Sequence, residues 1–173
     1  LILDDHKDIV SYAEYSPDGK RIVTSSYDNL IRMWDAETGE QLYALKGHKD
    51  SIFSARFSPD GRKIVSASAD GTAKLWDAAT RRLIADLSGH DAKVNSAEFS
   101  SNGKFIVSAS ANGTTAIWNA KTGEGKYLGG KPQDQHRRSV TSAKFSPDNN
   151  FIVTDKISFV FLFKNLSFIV NLE

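Results

Sequence analysis

Short apolar runs separated by tight turns alternate along the chain. Residues 51–57 alternate in part between apolar and polar side chains, and the turn Pro59-Asp60-Gly61 follows them. Pro presets its backbone φ and Gly accepts positive φ, so this sequence indicates a chain reversal. Three further runs follow at 63–68, 72–76 and 82–87, with turns at 70–71 and 77–80. Four short strands at such spacing predict an antiparallel meander, and no segment has the sustained 3.6-residue apolar period of a helix.

This pattern recurs with a fixed period along the chain. Trp34, Trp76 and Trp118 are 42 residues apart, and a His precedes each of them by 28 residues. A fourth His, His136, lies 46 residues after the third. One small sheet cannot bury both of its faces alone, so the repetition predicts sheets that stack on one another.

The residues that recur resemble those of a known family. Gly47-His48 and Gly89-His90, each followed after 28 residues by Trp-Asp or Trp-Asn, resemble the WD-repeat family of β-propellers. The resemblance covers residues 1 to about 155. It implies an all-β propeller of about four blades, each a four-stranded antiparallel meander, with one domain over 1–173 and repeats at about 1–46, 47–88, 89–134 and 135–173. Since each repeat of that family lends its outer strand to the preceding blade, Leu1-Ile2-Leu3 is expected to be the outer strand of a blade that the chain otherwise lacks.

The resemblance also implies a hydrogen-bonded set of four side chains in each blade. The indole N–H is only a donor and the carboxylate only an acceptor, while hydroxyl and neutral imidazole groups can do both and link them. Asn112 keeps an acceptor but loses the charge, so its blade is expected to be weaker. Carried over by position, the three sets are His6, Thr24, Asp28 and Trp34; His48, Ser66, Asp70 and Trp76; and His90, Ser108, Asn112 and Trp118.

These residues also permit two chemical interpretations, which the repetition disfavours. His, Ser and Asp together could form a hydrolytic triad, but a set that recurs three times with a Trp indicates a structural device. Four His could bind a metal, but in a propeller they belong to different blades. No Gly-rich phosphate loop is present. We therefore expect no catalytic residues, no metal and no cofactor.

The fourth copy departs from the repeat after residue 154. Its next stretch is one residue short, it lacks the turn Asp and Gly, and Phe163 stands at about the Trp position. This pattern is typical of a degenerate ending, or of two last strands over 159–170 joined by a non-standard turn. Propellers usually have roughly 4–8 blades, so about four blades leave a small ring, a half ring or fragment, or a ring completed by oligomerisation. A homodimer with eight blades is the expectation.

Composition narrows the choice of partners. The chain has 22 basic and 21 acidic residues, so whole-chain charge gives no reason to expect a nucleic acid or a membrane as partner. It has no Cys, which removes thiolate chemistry and fits a reducing, cytoplasmic location. A basic stretch, formed by Lys126, Lys131, His136, Arg137 and Arg138, could bind an acidic group or be a solvated loop.

Function in the resembled family lies on the face near the His and Asp turns. Residues three and five positions after each His, and the residue before each turn Asp, are expected on that rim. The predicted protein-binding residues are Ile9, Tyr27, Phe53, Lys93 and Asn95. The sequence therefore predicts a non-catalytic scaffold that binds a protein or peptide. The alternatives are a sensing or regulatory segment of a larger signalling enzyme, and a decayed or designed repeat segment without a function of its own.

Overall fold

The computed structural model describes residues 2–128, 139–156 and 159–164, and these residues contain strands and turns but no helix. None of these residues therefore belongs to a helix long and apolar enough to cross a bilayer. The strands are β1 (Val10–Tyr15), β2 (Arg21–Ser26), β3 (Ile31–Asp35), β4 (Gln41–Leu45), β5 (Ile52–Phe57), β6 (Lys63–Ser68), β7 (Ala73–Asp77), β8 (Leu83–Leu87), β9 (Val94–Phe99), β10 (Phe105–Ser110), β11 (Thr115–Asn119), β12 (Gly125–Leu128), β13 (Val140–Phe145), β14 (Phe151–Lys156) and β15 (Phe159–Lys164).

The strands form four antiparallel meanders, which we call blades 1 to 4. Blades 1, 2 and 3 have four strands each, in the orders β1-β2-β3-β4, β5-β6-β7-β8 and β9-β10-β11-β12. Blade 4 has three strands in the described part of the chain, in the order β13-β14-β15. The first strands of consecutive blades contact one another, so the blades converge at that edge. The all-β propeller architecture predicted from the sequence is confirmed.

Tight turns join the first two strands of every blade. In blade 1, the Ser16 hydroxyl donates to Asp18 at 2.5 Å and accepts the Arg21 amide at 2.9 Å, which closes the turn. Gly19 has a φ of 70° in this turn, a left-handed conformation that Gly adopts without strain. Blade 4 has Asn149 at the same position with a φ of 59°, and Asn is among the few other residues that tolerate it. The four turns thus keep one shape despite their different sequences.

Apolar side chains fill each space between consecutive blades. We call the face of a blade toward the preceding blade its upstream face, and the opposite one its downstream face. The Trp of each blade belongs to the upstream face, since Trp76 packs with residues of blade 1 and Trp118 with residues of blade 2. The cluster between blades 1 and 2 consists of Val23, Ile31, Met33 and Leu45 on one side and Ile52, Ala55, Phe57, Ile64, Trp76 and Ala78 on the other.

In the described part of the chain, the strands of blades 4 and 1 lack the close contacts that join consecutive blades. Val10, Ala13 and Tyr15 on the upstream face of blade 1 are exposed, although Ile22 and Trp34 on the same face stay buried. The sequence predicted an outer strand at Leu1-Ile2-Leu3, but Ile2 and Leu3 are not in a strand and Leu1 lies outside the described residues. The physical reason is that a strand needs a neighbour for its backbone hydrogen bonds, and the described residues supply none there.

Blade 4 keeps its register despite its degenerate sequence. Phe163 pairs with Ile152 in the same way as the three Trp residues pair with Ile22, Ile64 and Ile106 in the other blades. The structure therefore places Phe163 at the Trp position, as the sequence predicted. The second strand expected within 159–170 lies outside the described residues.

Candidate protein-binding surface

The predicted four-residue sets of blades 1 and 2 lie within hydrogen-bonding distance. In blade 2, the Trp76 indole donates to the Ser66 hydroxyl at 2.9 Å, and that hydroxyl lies 2.7 Å from His48 Nε2. His48 Nδ1 lies 2.8 Å from Asp70. The same three contacts join Trp34, Thr24, His6 and Asp28 in blade 1, at 2.8, 2.7 and 3.0 Å. Each chain of bonds joins the third and second strands of a blade to the loop before its first strand and ends at the turn carboxylate.

Blade 3 follows a different route after its histidine. Trp118 and His90 both contact the Ser108 hydroxyl at 2.8 Å, but His90 Nδ1 contacts the Thr114 hydroxyl at 2.8 Å rather than Asn112. Thr114 in turn donates to Asn112 Oδ1 at 2.6 Å. Asn112 Nδ2 is buried and has no partner in the described part of the chain. An amide nitrogen cannot accept the imidazole N–H as a carboxylate would, so the hydroxyl is inserted between the two groups.

Burial keeps the histidines of the networks in their neutral form, with a lowered pKa. Burial lowers the pKa of His90 to about 4. Burial also lowers the pKa of His6 and His48, against the opposing effect of Asp28 and Asp70. For Asp70 itself burial opposes ionisation, but hydrogen bonds from Thr72, the Lys49 amide and His48 together lower its pKa to about 2. At neutral pH the aspartates are therefore charged acceptors of hydrogen bonds from uncharged histidines.

The hydroxyls of the networks are sealed from solvent. Ser66 and Ser108 are completely buried and Thr24 nearly so, each beneath the indole that donates to it. A nucleophile must reach a substrate atom, and these hydroxyls cannot. The burial of these hydroxyls therefore favours a structural role for the three sets. In the described part of the chain, no cluster of His, Asp and Glu has the arrangement of a metal site.

Two predicted rim residues form an aromatic pair between blades 1 and 2. The rings of Tyr27 and Phe53 meet edge to face with their centroids 6.0 Å apart. Ile9 lies beside them, since its carbonyl accepts the Tyr27 amide at 2.9 Å, and its side chain is largely exposed. Tyr27 is also exposed and Phe53 is half-buried. We call Ile9, Tyr27 and Phe53 the aromatic patch. It offers solvent an apolar surface supported by two blades.

The other two predicted rim residues lie elsewhere and differ from each other. Lys93 is exposed at the turn of blade 3, where its carbonyl accepts the Ala111 amide. Asn95 is half-buried, and its amide group donates to the Val140 carbonyl at 2.7 Å and the Ser139 hydroxyl at 3.0 Å. Asn95 therefore links blades 3 and 4. Of the basic stretch predicted from the sequence, only Lys126 lies within the described residues.

Sequence reasoning missed a row of alternating charges on the innermost strands. Glu14, Arg56 and Glu98 occupy the same position in blades 1, 2 and 3, and Arg56 Nη1 lies 3.6 Å from Glu14 and 3.9 Å from Glu98. The Arg56 guanidinium also stacks on the Tyr12 ring, 4.5 Å from its centroid. The signal was available, because these residues are 42 positions apart and differ in sign.

Comparison with known proteins places these features in a family. The family model described as "WD domain, G-beta repeat" matches residues 1–35, 39–77, 81–119 and 131–155, which together are more than half of the chain. Each match except the last ends at or just after the Trp of one repeat. The repeats found in the sequence and the blades of the structure therefore have a counterpart in a defined family.

Relatives with curated descriptions match over shorter segments. Ribosome assembly protein 4 of Saccharomyces cerevisiae is 43% identical over 35 residues, which are 20% of this chain and 7% of that protein. WD repeat-containing protein 1 of Gallus gallus is 44% identical over 45 residues, 26% of this chain and 7% of that protein. Notchless protein homolog of Arabidopsis thaliana is 36% identical over 45 residues, 26% of this chain and 10% of that protein. Because the family model covers most of the chain and its four repeats coincide with the four blades, the chain belongs to the WD-repeat family.

Proposed function

We propose that the chain is a non-catalytic interaction scaffold that binds a protein or peptide at the aromatic patch. WD-repeat proteins are generally scaffolds of this kind. The groups that could form a hydrolytic triad, such as His48, Ser66 and Asp70, are hydrogen bonded to one another in a buried network. The observation that carries the proposal is the edge-to-face pair of Tyr27 and Phe53, contributed by two blades at the rim. Aromatic side chains dominate the energetics of protein interfaces, since they bury much area at small entropic cost.

The patch is built as a rigid platform. The Ser11 hydroxyl lies 2.5 Å from the Ile52 carbonyl and ties the two blades together next to Phe53. The aromatic rings are therefore held in place before a partner arrives, and a partner loses less free energy to ordering the site. Lys93 lies on the same rim in blade 3 and supports a partner that carries an acidic group some distance from its apolar anchor.

The proposal is tested with a random peptide library displayed on phage and selected against the whole chain. The affinity of the selected peptides is then measured for Tyr27→Ala and Phe53→Ala. We expect each substitution to weaken binding by about tenfold or more. Leu83→Ala is the matched control, because Leu83 is an exposed apolar residue on the outer strand of blade 2. Peptides that bind both aromatic variants as tightly as the wild type would refute the site.

A further inference from the structure

We propose that the downstream face of blade 4 binds the upstream face of blade 1 in a second copy of this chain. The reciprocal contact forms at the same time, so two chains complete one ring of eight blades. Four features of the two free faces match the features that join the blades within one chain. They concern apolar side chains, backbone acceptors, charges and turns.

The first match is apolar. Ile52 and Phe57 on blade 2 are buried against blade 1, and the equivalent residues Val10 and Tyr15 on blade 1 are 45% and 63% exposed. On blade 4, Val153 is 38% exposed, whereas Val23, Val65 and Val107 at the same position are completely buried. Val10, Tyr15 and Val153 are thus exposed at positions that are buried in blade contacts, although Ile22 and Trp34 on the blade 1 face are buried. Asp155 departs from this pattern, since it stands at the position of Ala67 and Ala109.

The second match is a hydrogen bond between innermost strands. Ser11 lies 2.5 Å from the Ile52 carbonyl, and the equivalent Asn95 donates to the Val140 carbonyl at 2.7 Å. Thr141 occupies this position in blade 4 and is exposed. Its hydroxyl lies 3.1 Å from the Asp155 carbonyl, as the Ser11 hydroxyl lies 3.0 Å from the Ser25 carbonyl, and its single proton can turn from this carbonyl to an acceptor on the next blade. In the proposed dimer, the Thr141 hydroxyl donates to the Val10 carbonyl of the second copy, which is the equivalent of the Ile52 and Val140 carbonyls.

The third match is in charge. The row Glu14, Arg56 and Glu98 continues in blade 4 with Lys144, so the sign alternates over all four blades. Contact of blade 4 with blade 1 of a second copy brings Lys144 next to Glu14. The alternation is then unbroken around eight blades. Two like charges would meet at this junction if either residue had the opposite sign, and such contacts are strongly disfavoured.

The fourth match lies in the turns. Pro17 packs against Gly61, with its Cδ 3.4 Å from the site of a Cβ there, and Pro59 packs in the same way against Gly103 at 3.7 Å. Between blades 3 and 4 the pair is replaced by Ser101 and Asn149, whose side chains hydrogen bond at 2.8 Å. The Pro of blade 4 and the Gly of blade 1 are left without such a contact. Pro147 is exposed, and no atom lies within 4 Å of the site of a Cβ on Gly19. Joined across two chains, they restore the Pro–Gly pair.

These matches favour a copy of the same chain over any other occupant. The two faces complement each other at four separate positions, and in the described part of one chain they do not make the close strand contacts that join consecutive blades. Two copies give eight blades, which lies within the usual range of roughly 4–8 for propellers. The closed ring has two-fold symmetry, as most homodimers do, and leaves no blade face uncovered.

A pair of introduced cysteines tests the junction directly, because the chain has no Cys of its own. The double variant Gly19→Cys with Pro147→Cys is treated with a short thiol-reactive cross-linker at low protein concentration. We expect most of the protein to run as a covalent dimer on a denaturing gel, while each single variant stays uncross-linked. The control is Pro17→Cys with Gly61→Cys, a pair already in contact, which must cross-link within one chain.

Two results would overturn the proposal. A cross-link within one chain in the test variant would show that blade 4 closes on its own blade 1. Absence of a cross-link, while the control variant reacts, would show that the faces do not meet. A second variant does not depend on the turns: Val153→Asp should raise the dimer dissociation constant at least tenfold. Ile84→Asp, at a residue with the same 38% exposure on an outer strand, should leave it unchanged. Equal dissociation constants for the two variants, both with wild-type circular dichroism, would also contradict the proposal.

Discussion

Single residues decide how well each blade network is satisfied, and blade 3 shows this most clearly. In blades 1 and 2 the turn carboxylate accepts both the histidine and a backbone amide, from Lys7 at 3.0 Å and from Lys49 at 2.9 Å. Asn112 presents an amide nitrogen instead, which is buried and has no partner among the described residues. The sequence predicted a weaker third network but not the inserted Thr114. The equivalent residue in blade 2, Thr72, contacts Asp70 at 2.7 Å. A Thr two residues after the turn Asp or Asn in both repeats could therefore have indicated a hydroxyl in the network.

Asn112→Asp should therefore stabilise the chain. The restored carboxylate accepts the His90 and Asp91 N–H groups and removes the unsatisfied amide nitrogen. We expect a gain of about 1 kcal/mol in the free energy of unfolding, measured by urea denaturation at pH 7. Asp70→Asn in blade 2 is the converse control and should cost a similar amount. A loss of stability in Asn112→Asp would show that the carboxylate is not tolerated in blade 3.

The buried histidines make the stability depend on pH. His90 has a pKa of about 4 in the folded chain, against 6.5 for the unfolded reference, so the unfolded chain binds more protons between these values. Stability is therefore complete above pH 6.5 and is lost as the pH falls toward 4. For His90 alone this amounts to about 3 kcal/mol. Urea titrations at pH 7 and pH 4.5 measure the loss, which should shrink in His90→Gln. An unchanged free energy of unfolding across this range would contradict the assignment.

At the scale of strands and blades, the 42-residue period accounts for most of what could be predicted. The positions of the strands were predicted from the turn residues and the short apolar runs. The four-residue networks were predicted from the resemblance to the WD-repeat family. The period alone could not show that the Asn95 side chain donates a hydrogen bond to the Val140 carbonyl of the next blade. Contacts of that kind depend on how two sheets approach each other, and spacing along one chain does not contain that distance. Ile2 and Leu3 failed as a predicted strand for a related reason, because a strand is stabilised by its neighbour.

The anchor residue of each blade is its Trp. Trp76 is almost completely buried between blades 1 and 2 and also donates to Ser66. Trp76→Ala should cost about 3–5 kcal/mol in the free energy of unfolding, because it leaves a cavity in the blade contact and removes one of the hydrogen bonds of the Ser66 hydroxyl. Lys46→Ala, at an exposed residue just before the same repeat, should have little effect. Equal melting temperatures for both variants would show that the indole is not the anchor.

At the scale of the whole molecule, function follows from how blades are joined. The aromatic patch needs both blade 1 and blade 2, and we propose that a second copy covers the end faces of blades 1 and 4. Blade count was the least predictable feature of the sequence, because closure depends on two faces far apart in the chain. In the structure, closure of the ring depends on the contact between the downstream face of blade 4 and the upstream face of a blade 1. Apart from Asp155, the apolar, hydrogen-bonding, charged and turn residues discussed above match those of the junctions within the chain.

The solution mass of the purified chain tests this account most directly. Light scattering over a tenfold range of concentration should give a stable particle of twice the 19.0 kDa of one chain. That mass, together with a single cooperative unfolding transition, is the result expected of a ring completed by two copies. A mass of one chain at every concentration, with equally cooperative unfolding, would contradict it and would mean that four blades are stable with both end faces unpaired.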